Sequence, residues 1–305
     1  MKWYALIHIG LGLVGSPLLL GIMNRVKAFF AGRRGPALVQ PYYDLWKLLR
    51  KGNVYSRTTT WIFTTGPMLG LAAVLTALTL MPFGGISALI SFKGDLILFV
   101  YLLGITRFFT VLAGLDTGSS LEGMGASREV QFSALVEPAL LLGLTALALE
   151  TRCLSLSVIY RQMTTIIHPS IISVVLLVMV AFFFIFLTEN ARIPVDDPNT
   201  HLELTMVHEV MVLDHSGIDL AIIQYTAALK HWIFGLLIAG LAVPIHTGEF
   251  WLDTVGVLGG IFIVAVLVGV VESTLARFRL IHIPKMLVAA SVLSVLAMIL
   301  VEVSK

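Results

Sequence analysis

The chain has one cysteine, Cys153, in 305 residues. A single thiol excludes an internal disulfide, a cysteine-ligated iron–sulfur cluster and a thiolate zinc site, because each needs several cysteines. Any electron carrier therefore belongs to another chain. Charge is scarce too: 12% of residues are Asp, Glu, Lys or Arg, against about 25% in a soluble domain. The formal net charge of +2 is too small to imply nucleic acid binding. Internal repeats and low-complexity tracts are lacking, which argues mildly against an inverted-repeat transporter.

What is abundant is apolar sequence, 58% of the chain, with a mean hydropathy of +0.95. A membrane-crossing helix needs about 20 mostly apolar residues. Eight stretches qualify, 4–23, 61–81, 95–112, 134–150, 171–189, 229–245, 255–275 and 285–303, so the fold class expected is all-α, a polytopic bundle forming a single membrane domain over 1–305. The first stretch is longer than a signal-peptide core and no small-residue cleavage pattern follows it, so it is expected to be a retained span. Alternate connections share a side. Those at 24–60, 113–133, 190–228 and 276–284 carry Arg25, Lys27, Arg33, Arg34, Lys47, Arg50, Lys51, Arg57, Arg128, Arg192, Arg277 and Arg279, and the opposite side has only Lys2, Lys93, Arg152, Arg161 and Lys305. The positive-inside rule makes the richer side cytoplasmic and places both termini outside, in a prokaryotic cell membrane.

The basic connections are too patterned for plain linkers. Gly32-Arg33-Arg34-Gly35-Pro36 leads to Pro41 and a run from Tyr42 to Arg50, in which Leu45, Leu48 and Leu49 share a helical face. A surface-lying helix is expected, serving either as a lipid anchor or, given the Gly-Pro brackets, as part of a docking loop. Arg33, Arg34, Asp44, Lys47, Arg128, Arg277 and Arg279 are candidates for partner docking.

Ionisable groups within spans are costly and face a bundle interior or a wet cavity. Glu137 lies near the start of the fourth span, before Pro138, whose missing N–H loosens the first turn. Glu189 ends the fifth span, with Arg192 three residues on and available as a partner. Glu137 and Glu189 are expected to share a hydrated pocket in which each raises the other's proton affinity. Glu272 and Arg107 sit late in the seventh and in the third span, and snorkelling to the interface is the alternative for both. The segment 189–217 is the densest in chemistry, with Glu189, Arg192, Asp196, Asp197, His201, Glu203, His208, Glu209, Asp214 and His215. No His-Glu-x-x-His pattern occurs there, and a carboxylate-and-imidazole proton path suits the mixture better than a metal. The candidate proton path is Glu137, Glu189, Arg192, Asp196, Glu203, Asp214 and Glu272, with Glu203 folded back toward a Glu189–Arg192 contact.

These residues resemble a family. Gly32-Arg33-Arg34-Gly35-Pro36 through Gln40-Pro41, Asp44 and Lys47-Leu48-Leu49 is similar to the first cytoplasmic loop of the membrane subunit shared by respiratory complex I, where it is subunit 1, and by group 4 nickel–iron hydrogenases and formate hydrogenlyases. Gly125-Ala126-Ser127-Arg128 with Glu137, Glu189-Asn190-Ala191-Arg192-Ile193-Pro194-Val195-Asp196 with Glu203-Leu204, and Ser273-Thr274-Leu275-Ala276-Arg277-Phe278-Arg279 resemble three further blocks in order. A shorter first loop, Leu115-Asp116-Thr117-Gly118-Ser119 with Gly125-Ala126-Ser127-Arg128-Glu129, and Glu272 where complex I relatives usually have arginine all resemble the hydrogenase branch, of the hydrogenase-4 component C and formate hydrogenlyase subunit 4 type. Asp214-His215-Ser216-Gly217 resembles a Glu-Tyr-Ser-Gly motif, displaced by about three residues.

The resemblance implies a subunit without a redox cofactor or self-contained active site. It would hold soluble iron–sulfur and hydrogenase-like subunits, with their iron–sulfur clusters and a nickel–iron site, against the membrane. It would also pass the effect of electron transfer to antiporter-like membrane subunits that move protons or sodium ions. A quinone-binding subunit of a dehydrogenase complex, a stand-alone ion transporter and a purely structural anchor are the alternatives. The transporter fits poorly with charge expected in loops instead of at mid-membrane.

Overall fold

The computed structural model describes residues 2–163, 169–196, 206–243 and 249–303. The described chain is helical: α1 Lys2–Phe30, α2 Gln40–Leu49, α3 Trp61–Leu80, α4 Asp95–Asp116, α5 Ser120–Thr151, α6 Leu156–Met163, α7 Pro169–Glu189, α8 His208–Met211, α9 Gly217–Ala242, α10 Phe250–Thr274 and α11 His282–Val303. Eight of these (α1, α3, α4, α5, α7, α9, α10 and α11) are long and apolar enough to cross a membrane, as expected. An even number of spans brings both chain ends to one end of the bundle, called here the termini end; the other is the loop end.

Two spans begin much earlier than apolar sequence suggests. The expected connection 113–133 is largely helix, because α5 runs unbroken from Ser120, and Pro138 lies within it instead of in its first turn. Likewise α9 begins at Gly217, twelve residues before the stretch expected from 229. Its start is built by a distant loop: Asn53 Oδ1 accepts from Ile218 N at 2.6 Å, and Ser216 Oγ accepts from Val54 N at 3.0 Å. Gly217 is needed there. Its φ is +53°, and an added Cβ would stand 2.6 Å from the Gly52 carbonyl oxygen.

α9 is the axis of the bundle, the most buried span, and it touches α1, α2, α3, α6, α7 and α10. Its central residues, from Ala228 to Ala239, are buried without interruption. The amphipathic α2 lies across α1 and α9, where Leu45 and Leu48 are half-buried and the Tyr42 hydroxyl donates to the Val14 carbonyl. Leu49 remains exposed. At the termini end the buried Asp95 carboxylate accepts from Ser155 Oγ at 2.8 Å and Leu156 N at 2.7 Å, which pins the start of α4 to the start of α6.

Candidate functional site

The described parts of the connection between α7 and α9, residues 190–196 and 206–211, fold inward. Arg192, Val195 and Asp196 are buried, and residues 206–211 return inward with Met206, Val207, Val210 and Met211 buried. This inward fold is what a charged segment beside a membrane requires, since its charges must pair or reach water. Glu203 lies outside the described residues, as do Asp197 and His201.

Two clusters of buried charge meet the chain at Glu189 and at Arg192, on either side of a short turn. In the first, the Glu189 side chain is fully buried and meets two cations: Arg107 Nη2 of α4 contacts Oε1, and Lys230 Nζ of α9 lies 3.2 Å from Oε2 and donates to the Glu189 carbonyl at 2.9 Å. Arg107 Nη2 also lies 3.6 Å from Glu137 Oε1, whose side chain is 40% exposed. A cavity of about 60 Å³ adjoins the cluster, lined by Arg107, Glu129, Glu189, His208 and Lys230. At about 30 Å³ per molecule that is room for roughly two waters. Arg107 Nε is buried there with no hydrogen-bond partner among the described residues.

In the second cluster Glu272 of α10 is the fully buried carboxylate, held between Lys27 Nζ of α1 at 3.1 Å and Arg192 Nη1 at 3.4 Å. Arg192 Nε donates to His231 Nε2 at 2.8 Å. Arginine has no acceptor, so His231 Nε2 must be unprotonated and Nδ1 carries the hydrogen, donated to the Ala227 carbonyl at 2.7 Å. Beside this cluster Asp196 binds Arg277 Nη2 at 2.7 Å and accepts from the backbone N–H groups of Val207 and His208 at 3.0 and 3.1 Å. One carboxylate thereby ties the folded-in segment to the end of α10.

Several sequence expectations change. The Glu189–Arg192 pair is replaced: Glu189 turns to Arg107 and Lys230, and Arg192 to Glu272 and His231. Glu137 and Glu189 come together, but across the Arg107 guanidinium, so each faces a shared cation instead of a like charge. Arg107 and Glu272 are buried and paired, which rules out snorkelling. Asp214 joins neither cluster; it is exposed, and its N–H donates to the buried Glu122 at 3.2 Å. Among the docking candidates, Arg33, Arg34, Asp44, Lys47 and Arg279 are exposed. Arg128 instead donates to the Met206 carbonyl at 3.0 Å, and Arg277 binds Asp196, so both brace the interior.

Sequence reasoning missed Lys230 and His231. Started at 229, the sixth span puts them at the interface; started at Gly217, it puts them at its middle. The Lys230-His231 pair at the very start of an apolar stretch was the available signal. Glu129 was not among the proton-path candidates for a similar reason, since apolar patterning marks its surroundings as a connection.

Two imidazoles outside the spans have environments that keep them neutral. Burial, reinforced by Lys230, lowers the pKa of His208 to about 4, and burial lowers that of His215, stacked 3.9 Å from the Phe63 ring, to about 4 as well. His208 also lines a second, larger cavity of about 540 Å³ between α1, α2, α9 and the folded-in segment, bordered by Pro17, Leu45, Arg192, Leu220 and His231.

Comparison with known proteins agrees with this architecture. The NADH dehydrogenase family model matches residues 3–303. Hydrogenase-4 component C of Escherichia coli (strain K12) is 33% identical over 294 residues, covering 92% of this chain and 90% of that one. Formate hydrogenlyase subunit 4 of the same organism is 32% identical over 275 residues, 87% of each. An NADH-quinone oxidoreductase subunit from Rubrobacter xylanophilus is 28% identical over 208 residues, 66% of this chain and 62% of that one. A chain from the structure of the membrane-bound sulfane sulfur reductase, an archaeal respiratory membrane complex, has the same fold with a TM-score of 0.83, at 21% identity and 98% coverage of both chains.

Proposed function

The chain belongs to the NADH dehydrogenase family, and we propose that it is the membrane anchor and coupling subunit of a multisubunit hydrogenase or formate-hydrogenlyase-like oxidoreductase. It links electron transfer in soluble iron–sulfur and hydrogenase-like subunits to proton or sodium movement by antiporter-like membrane subunits, with its loop end in the cytoplasm of a prokaryote. The iron–sulfur clusters and nickel–iron site belong to those partners. The hydrogenase-4 and formate hydrogenlyase relatives are the more similar in sequence, which supports that branch over complex I.

One observation carries the reading. Two buried charge clusters span the width of the bundle, from Lys27 in α1 to Glu137 in α5, and the short run from Glu189 to Arg192 links them. A purely structural anchor has little use for so much desolvated charge, because well-packed apolar residues would hold the helices as firmly or better. A charge arriving in a docked partner near the loop end shifts the preferred positions of these ion pairs, since buried charges are poorly screened. Glu137, half open and sharing Arg107 with Glu189, is the site for proton exchange, and Glu129 faces the same small cavity.

The test is Glu137→Gln and Glu189→Gln in proteoliposomes. Electron transfer to artificial acceptors should persist, with ion pumping lost or sharply reduced. Wild-type pumping in both variants would remove these carboxylates from the path. A second reading, a quinone-binding subunit, is favoured by the cavity of about 540 Å³, which is mostly apolar and lies beside the amphipathic α2. Quinone co-purifying with the complex, or turnover that depends on added quinone, would select it.

A further inference from the structure

The cavity of about 60 Å³ beside Glu189 and the cavity of about 540 Å³ behind α2 share a wall, built from Asn190, Ala191, His208, Ile223 and Ala227. Two of these residues have polar side chains, and of those two His208 is the one that can take up a proton. The Asn190 amide donates to the Phe186 carbonyl at 2.9 Å, and its buried Oδ1 has no partner among the described residues, so it can hold a water but not carry a proton. His208 is fixed through its backbone, whose N–H donates to Asp196 at 3.1 Å, while its imidazole makes no hydrogen bond among the described residues. The ring is half-buried although protein surrounds it. What surface it keeps faces the two cavities that it lines.

Each side of the wall has what a proton path needs. The larger cavity reaches the loop end of the bundle at Asp44, an exposed residue of α2, and is bordered by Asn24, Glu209 and Gln224 as well as by apolar groups. The smaller one, with its room for roughly two waters, lies beside Glu129, Glu189, Arg107 and Lys230. Arg107 and Lys230 are cations and have no acceptor for a proton. The Glu129 carboxylate makes no hydrogen bond among the described residues, so it is open to water in the cavity.

We propose that His208 relays protons through this wall, accepting one from water in the larger cavity at one ring nitrogen and releasing one from the other nitrogen to water beside Glu129. This deepens the coupling reading, on which it rests, by assigning the route along which protons reach the cluster of Glu129, Glu137 and Glu189. A neutral imidazole carries one N–H and one lone pair, so it can accept and donate at once. Each passage makes one N–H bond and breaks another, with one proton moved in all, and rotation of the ring restores the starting arrangement. Burial and the Lys230 ammonium keep the ring's pKa at about 4, so at pH 7 about one ring in a thousand is protonated. The proton is therefore passed on and not trapped there.

The experiment uses the intact complex in proteoliposomes, as wild type, His208→Ala and His208→Gln. Electron transfer to an artificial acceptor and ion pumping are measured, and deuterium entry into interior carboxyl groups is followed by infrared absorption after a switch to D2O. Expected is unchanged electron transfer, with carboxyl exchange and pumping slowed about tenfold or more in both variants. Added imidazole should restore both rates in His208→Ala, and pyrrole, which has the same shape and no basic nitrogen, should not. Wild-type exchange in either variant would overturn the relay, as would restoration by pyrrole and imidazole alike, or by neither. Should His208→Ala fail to assemble, His208→Gln decides alone: slowed exchange supports the relay and wild-type exchange overturns it. Exchange needs no pumping, so it decides on His208 even if Glu137→Gln and Glu189→Gln pump as wild type and the coupling reading fails.

Discussion

The two buried clusters use the same device with different reserves. In each, a fully buried carboxylate is clasped by two cations: Glu189 by Arg107 and Lys230, Glu272 by Lys27 and Arg192. Around Glu189 there are further acids, since Glu137 shares Arg107 and Glu129 lines the adjoining cavity. Around Glu272 there is a neutral histidine, His231, locked by its donor and acceptor. The first cluster can therefore lose or gain a proton and still pair its cations, whereas the second has one carboxylate for two cations and no spare. The difference separates a cluster suited to exchange from one suited to holding the fold.

That comparison predicts opposite rankings in two assays. Glu272→Gln strands Lys27 and Arg192 together, so it should produce the largest loss of stability, at the upper end of the roughly 3–5 kcal/mol expected when a buried pair loses one partner. Glu189→Gln should cost less, because Arg107 keeps Glu137. Thermal unfolding of the two variants in the same detergent checks the order. In ion pumping the order should reverse, with Glu189→Gln the more damaging wherever both assemble. If Glu189→Gln proved the less stable of the two, the distinction between the clusters would collapse.

A cation removed together with the carboxylate sharpens the argument. Lys27→Met added to Glu272→Gln should recover part of the lost stability, on the order of 1–2 kcal/mol, because one stranded charge disappears with its partner. Failure to recover anything would mean that Lys27 already reaches water when Glu272 is gone.

The imidazoles give a smaller, pH-dependent effect. His208 and His215 take up protons at about 4 in the folded protein, against 6.5 for an ordinary histidine. Between those values the unfolded chain binds more protons than the folded one, so stability should rise with pH across this window and fall as pH drops from 6.5 toward 4. Melting temperatures followed from pH 7.5 to 5 should show the decline, and His208→Gln with His215→Gln should flatten it. The smallest effect on stability is expected at the exposed Arg33 and Arg34. Their reversal to glutamate should change unfolding by no more than about 0.5 kcal/mol, yet release soluble subunits from membranes; a fully assembled complex after that double change would end their docking role.

The charged interior shows where sequence reading stopped short. Glu137, Glu189, Arg192, Asp196 and Glu272 were legible as costly charges beside apolar runs, and the structure brings all five into the layer between the spans. Their partners were not legible. Arg192 is three residues from Glu189, which suggests a helical pair, but α7 ends at Glu189 and the chain turns away, so local spacing no longer governs contact. Lys230 was hidden by a boundary error, because a hydropathy stretch marks where apolar residues begin and not where a helix does. The boundary itself is set by Asn53 and Ser216, residues 163 apart in the chain, and no window along the sequence contains both.

What the sequence by itself determined is therefore the solvent and the architecture. Eight apolar stretches of spanning length can satisfy their backbone in lipid only as helices, and scarce charge had to lie inside the bundle or at its ends. The tertiary structure alone decided which charge meets which. Most ion pairs of the two clusters join groups from elements far apart in the chain, from Arg107 with Glu189 to Lys27 with Glu272. At low effective dielectric the energy of such a pair depends steeply on separation and desolvation, and only the packing of α1, α4, α5, α9 and α10 around the folded-in segment sets those quantities.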